Sequence, residues 1–145
     1  MVSFGLLAIA AATAAAAPPS CSGPETPQSL ISYDPFIIFF DSGSAAITPA
    51  AAAILDNAAA VYRPLPHCLL VVAAHTDRVG PSAYNRALSE RRARAVVAYL
   101  RRRGVLARSR IEPYGETRPL VETADGVEER QNRRAEILIA PRDHP

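Results

Sequence analysis

The 145-residue sequence predicts an α+β domain in the order β-α-β-α-β-β, a mixed sheet with two long helices packed on it. Three features carry the prediction. Continuous apolar runs occupy 36–40 and 69–74, and 135–140 is apolar but for Glu136; all three are too short for helices and suited to strands. Two longer stretches repeat apolar residues at three- and four-residue spacing. Gly and Pro stand at the joints between these segments.

Phe36 to Phe40 reads as the first strand, with Asp41-Ser42-Gly43-Ser44 as its exit loop. Thr48-Pro49 opens a helix, Thr48 as its cap and Pro49 in the first turn, where a missing N–H costs nothing. Ile54, Leu55 and Val61 supply its apolar positions, and Pro64 and Pro66 stop it near Tyr62. The second strand, Leu69 to Ala74, ends abruptly at His75-Thr76-Asp77. Gly80-Pro81 then breaks the chain before a second helix, whose Leu88, Ala93, Val96, Val97 and Leu100 share one side and which Gly104 closes. A third strand falls around Arg110 to Pro113, residues 114–127 have loop composition, and 128–134 form a short polar turn or helix before the last strand, Ala135 to Ala140.

One residue breaks the pattern of the second helix. Arg91, Arg94, Arg101 and Arg102 point away from the apolar stripe as ordinary solvated charges, whereas Arg92 lies four residues after Leu88 and four before Val96, on the apolar side. A guanidinium there keeps its proton and needs an anionic partner or water. Asp77, at the preceding strand end, is the natural neighbour. Two readings follow: a structural ion pair from Asp77 to Arg92, or a divided site in which Asp77 holds the ammonium and Arg92 the carboxylate of a zwitterionic ligand. Asp41 and Asp77 both stand at carboxyl ends of strands, where open sheets place their ligand crevices; Asp41 reads first as a loop or capping carboxylate.

The stretch His75-Thr76-Asp77, Gly80, Tyr84-Asn85, Leu88-Ser89, Arg92-Ala93 resembles, without a gap, the signature of the OmpA-like peptidoglycan-binding domains, the group that includes OmpA C-terminal, Pal and MotB-type domains. The likeness extends through Phe39-Phe40-Asp41, Ser44 and Thr48-Pro49 upstream, and through Arg110-Ile111, Tyr114-Gly115-Glu116, Pro119 and Asn132-Arg133-Arg134-Ala135-Glu136-Ile137 downstream, covering about residues 33 to 140. Ala74, Pro113 and Glu129 stand where the family pattern has Gly. The resemblance implies noncovalent binding of the diaminopimelate of the peptidoglycan stem peptide, with Asp77 and Arg92 as main ligands, Asn85 beside them and Thr76 as a further contact. Of Arg133 and Arg134, which match the family just before the last strand, one frames the pocket or braces Asp77; Arg133 is the secondary candidate and Arg134 reads first as holding the fold. It implies no catalytic residue, no metal and no cofactor. A place in the periplasm, in association with the outer membrane, and envelope proteins as further partners belong to the same expectation. An interaction module of the envelope with weak or no peptidoglycan affinity is the other reading the residues leave open.

Other function classes find less support. The formal net charge is +2 and every basic residue is Arg, so Arg101-Arg102-Arg103 reflects a compositional habit more than a nucleic-acid face, and Glu90, Glu112 and Glu116 dilute it. His67, His75 and His144 have no metal-ligand spacing, and no Ser or Cys sits in a nucleophile motif, which argues against an enzyme. His75 reads instead as a hydrogen-bonded strand-end histidine that orients the loop.

Residues 1–17 contain no Asp, Glu, Lys or Arg and read as a cleaved export signal, an uncleaved anchor being the alternative. Residues 18–32, with Pro18, Pro19, Pro24 and Pro27, read as an extended tether, 33–140 as the domain and 141–145 as a tail. Pro18-Pro19-Ser20 ahead of Cys21 is unlike a lipidation signal. Two cysteines, Cys21 and Cys68, make no framework, and whether they pair is left open.

Overall fold

The computed structural model describes Cys21 and residues 34–141. The expected signal, most of the tether and the tail lie outside the described residues. The elements are β1 (Phe36–Phe39), α1 (Pro49–Tyr62), β2 (Leu69–His75), α2 (Ser82–Arg102), β3 (Arg108–Gly115), a 3-10 turn (Arg130–Asn132) and β4 (Arg134–Ala140). The α+β reading and its element order hold. β3 is longer at both ends than the expected Arg110 to Pro113, and the polar segment near 130 contracts to one 3-10 turn.

The sheet order is β1-β4-β2-β3. β4 runs antiparallel to both β1 and β2, whereas β3 lies parallel to β2, the pairing that the α2 crossover permits. The last strand of the chain therefore enters between the first two. Strand alternation sends Leu70, Val72 and Ala74 of β2 with Ile137 and Ile139 of β4 to one face, where they pack in one core with Leu55, Ala58 and Ala59 of α1 and Ala93, Val96 and Leu100 of α2. Leu69, Val71 and Ala140 form a smaller cluster on the opposite face.

Local chemistry explains where the helices begin and end. Thr48 Oγ1 accepts from Ala51 N at 3.2 Å, so the cap is the one the sequence indicates, with Pro49 opening the first turn. Gly104, at φ +87°, takes the left-handed turn after α2. At the other end of α2, Gly115 closes β3 with φ +57°, and a Cβ there would meet Arg86 N at 3.0 Å. Only glycine allows this approach. Cys21 and Cys68 form a disulfide, with Cα atoms 5.1 Å apart, which excludes a lipid on Cys21. Among the described residues no helix is long and apolar enough to cross a membrane.

Candidate functional site

The carboxyl end of β2 and the first turns of α2 enclose a cavity of about 310 Å³, with Asp77, Asn85 and Arg92 in its walls. The Ser42-Gly43 turn, the Val79-Gly80-Pro81 turn, Tyr84 and Leu88 complete the lining. Thr76 is not in that wall: its hydroxyl donates to Asp77 O at 2.9 Å and its N–H to Gly115 O at 2.8 Å, which ties the β2 exit to β3.

Arg92 is fully buried, as its place on the apolar side of α2 requires. Its partners are backbone carbonyls: Nε donates to Ser44 O at 2.8 Å, Nη1 to His75 O at 2.8 Å and Nη2 to Asp41 O at 3.0 Å. The guanidinium also stands over the Phe40 ring, 4.9 Å from its centre. Burial pulls its pKa down to about 10, with the Asp77 carboxylate opposing, so it remains a cation at neutral pH. Three of its five N–H groups are used, and two remain.

Asp77 forms its ion pair elsewhere. Oδ2 meets Arg133 Nη1 at 3.0 Å, both side chains being largely buried, while Arg133 Nε donates to Phe40 O at 3.1 Å. Backbone N–H groups of Glu129 and Val79 approach the two carboxylate oxygens at 3.4 Å each. The ion-pair reading from Asp77 to Arg92 is thus replaced: Arg133, brought in by β4, braces the carboxylate, and Arg92 faces the cavity from its own carbonyl cradle. Arg134, next in sequence, pairs with Glu136 at 2.8 Å on the opposite face of the sheet.

Asn85 is buried, and its Nδ2 donates to Glu116 Oε2 at 3.0 Å, Asp77 O at 3.3 Å and Gly80 O at 3.5 Å. Glu116 was legible only as part of Tyr114-Gly115-Glu116, and Tyr84 only as the neighbour of Asn85; neither stood among the expected site residues. Asp41 contributes its carbonyl to Arg92, and its side chain lines a separate cavity of about 100 Å³ with Thr48, Arg130 and Arg133.

His75 departs from expectation. Its ring is buried and stacks on Tyr114 with centres 5.4 Å apart; Glu136 Oε1 stands 3.8 Å from Nε2, beyond hydrogen-bonding distance, and among the described residues neither ring nitrogen has a partner within that distance. Burial first, and Arg134 second, push its pKa down to about 4, so the ring is neutral at pH 7. It orients the loop through its carbonyl, which holds Arg92, and not through its ring.

In chemical terms the cavity offers a carboxylate and a cation fixed on different elements, with an amide between them and Tyr84 and Leu88 as apolar wall. Such a set suits a small zwitterionic group on an aliphatic stem. The family model described as "OmpA family" matches residues 39–133. Outer membrane porin F of Pseudomonas fluorescens is 38% identical over 102 residues, which cover 69% of this chain and 31% of that protein. The peptidoglycan-associated lipoprotein of Rhizobium meliloti is 39% identical over 103 residues, covering 70% of this chain and 58% of that one. The chain therefore spans less than two thirds of the length of these curated relatives. Among solved structures, the peptidoglycan-associated lipoprotein from Burkholderia pseudomallei superposes with a TM-score of 0.65 at 30% identity, covering 71% of this chain and 88% of that one. The C-terminal domain of Helicobacter pylori MotB does so at 0.59 and 27%, covering 74% and 84%.

Proposed function

The chain belongs to the OmpA family, and from that premise and the geometry of its cavity we propose that it binds the stem peptide of peptidoglycan, noncovalently and without turnover. Residues 33–140 are the binding unit. The observation that carries the reading is the placement of Asp77 and Arg92 in one cavity wall system with separate supports, so that neither is neutralised by the other. The distal centre of diaminopimelate carries an ammonium and a carboxylate on one carbon. Asp77 takes the ammonium and Arg92, through its two remaining N–H groups, the carboxylate. Asn85 completes the hydrogen bonds, Arg133 fixes the Asp77 carboxylate, and Thr76 holds the loop that carries it.

The names of the relatives, an outer membrane porin and peptidoglycan-associated lipoproteins, support a place in the periplasm in association with the outer membrane. There the protein anchors or positions itself, or an envelope protein attached to it, on the cell wall.

The test is cosedimentation of the protein with purified diaminopimelate-type sacculi, comparing wild type with Asp77→Asn and Arg92→Lys after each has been checked for folding. Wild type pellets; Asp77→Asn loses about 2 to 5 kcal/mol of binding, because the ligand's ammonium is left buried without its counter-charge, and Arg92→Lys binds more weakly than wild type, because an ammonium keeps the charge but not the planar fork that holds a carboxylate through two N–H groups. A wild-type protein that stays in solution would sink the wall-binding reading and turn the search to protein partners in the envelope.

A further inference from the structure

An amide presents either a donor or an acceptor, depending on which way it is turned, and the neighbours of Asn85 decide this. Nδ2 has two N–H groups and meets three acceptors, Asp77 O, Gly80 O and Glu116 Oε2, so its donor capacity is used up. Among the described residues nothing donates to Asn85 Oδ1, although the residue lines the cavity and is itself 1% exposed. Turning the amide over would set Oδ1 against two carbonyls and a carboxylate with no proton between them, which costs far more than it returns. Of the three acceptors, Glu116 is the shortest contact and the only one a side-chain substitution can remove. Its position is itself fixed: the preceding Gly115 N–H donates to Ser89 Oγ at 2.9 Å, and Gly115 abuts the backbone of Arg86.

We propose that Glu116 is a positioning residue that locks Asn85 with its carbonyl oxygen as the free group, so that Asn85 and Asp77 form an acceptor pair selective for an ammonium. The inference rests on the diaminopimelate reading of the cavity and adds the reason for its selectivity. An ammonium has three donors and no acceptor, so two converging oxygens satisfy it. A ligand centre without the nitrogen leaves Oδ1 of Asn85 and the Asp77 carboxylate unpaired.

The test compares two tripeptides, L-Ala-γ-D-Glu-meso-diaminopimelate and the same peptide with the distal ammonium replaced by hydrogen. Calorimetry on wild type should give a preference for the first of about tenfold or more. Glu116→Ala should cut that preference several-fold, and Glu116→Gln, whose amide oxygen can still accept from Nδ2, should restore most of it. The side-chain amide signals of Asn85 in nuclear magnetic resonance should be sharp and distinct in wild type and in Glu116→Gln, and should shift and broaden in Glu116→Ala, where the amide loses its lock. Wild-type discrimination retained in a folded Glu116→Ala, or Asn85 signals unchanged in that variant, overturns the proposal alone. A wild type that binds neither tripeptide overturns the diaminopimelate reading, and this inference falls with it.

Discussion

Arg92 is the largest of the fully buried side chains, and three carbonyls, two from the loop after β1 and one from the end of β2, converge on it. Its replacement by Ala leaves Asp41 O and His75 O without that donor and Ser44 O likewise, at about 1 to 3 kcal/mol for each group that water cannot reach. Chemical denaturation should therefore show Arg92→Ala to be less stable than Asp77→Asn, and an unchanged urea midpoint in Arg92→Ala would contradict the cradle. The position of Arg92 on the core side was readable from helical spacing alone. Its partners were not, since a backbone carbonyl carries no residue label. That one of Arg133 and Arg134 frames the pocket or braces Asp77 was readable as an open alternative, and the approach to β4 decides for Arg133 across 56 positions. His75 gives a second prediction at this scale. Its folded pKa, about 4, lies below the unfolded value of about 6.5, so the unfolded chain takes up the proton first. The neutral ring thus stabilises the fold fully above pH ~6.5, and this contribution, about 3 kcal/mol at most, is lost as pH falls toward 4. Arg134 and Glu136 of β4, Tyr114 of β3 and Arg118 beyond β3 are the charged and titratable groups acting on or stacked against it. Urea unfolding between pH 7 and 4.5 should fall more steeply for wild type than for His75→Phe, which keeps a ring against Tyr114 and cannot titrate; parallel slopes would rule the assignment out.

At the level of elements, the site depends on how the start of α2 is locked to the end of β3. Ser89 Oγ donates to Arg86 O at 2.8 Å and accepts from Gly115 N, while Gly115 O accepts from Thr76 N. α2, β2 and β3 thus meet at one glycine. Gly115→Ala forces a Cβ into Arg86 at a φ that L-residues avoid, at a cost of about 1 to 3 kcal/mol, and displaces the turn that carries Asn85. Both the unfolding midpoint and sacculus binding should drop, whereas Gly126→Ala, at φ +78° with open space around it, should lower stability without touching binding. The strands that the sequence located well, β1, β2 and β4, are those with apolar runs. β3 is an edge strand, half-buried along most of its length and carrying Pro113, so its polar ends give no apolar signal and resemble loop. That β4 enters between β1 and β2 was equally hidden, since local pattern says which face a strand buries and not which neighbours it takes.

Across the whole molecule, the disulfide and the cavity lie at opposite ends of one strand. Cys68 immediately precedes Leu69, the first residue of β2, and Asp77 follows its last, His75; at ~3.3 Å per residue β2 alone separates the two ends by roughly 20 Å. The bond closes a loop of 47 residues in sequence separation that contains β1 and α1, and Cys21 packs against the same core as Leu55 and Val96. A cross-link of that span restricts the unfolded chain and should add about 2 to 4 kcal/mol of stability. It also suits an oxidising compartment, in agreement with the periplasmic assignment. Cys21→Ser with Cys68→Ser, or wild type in reductant, should therefore unfold at clearly lower urea while binding sacculi as before under native conditions, because none of the groups around Asp77, Asn85 and Arg92 touches the bridge. Equal stability with and without the bond would mean that the remaining core already holds Cys21 and the strand ends in place. A loss of binding in a folded, reduced protein would mean instead that strain at the Cys68 end of β2 reaches the carboxyl end, where Asp77 and the His75 carbonyl that holds Arg92 are set.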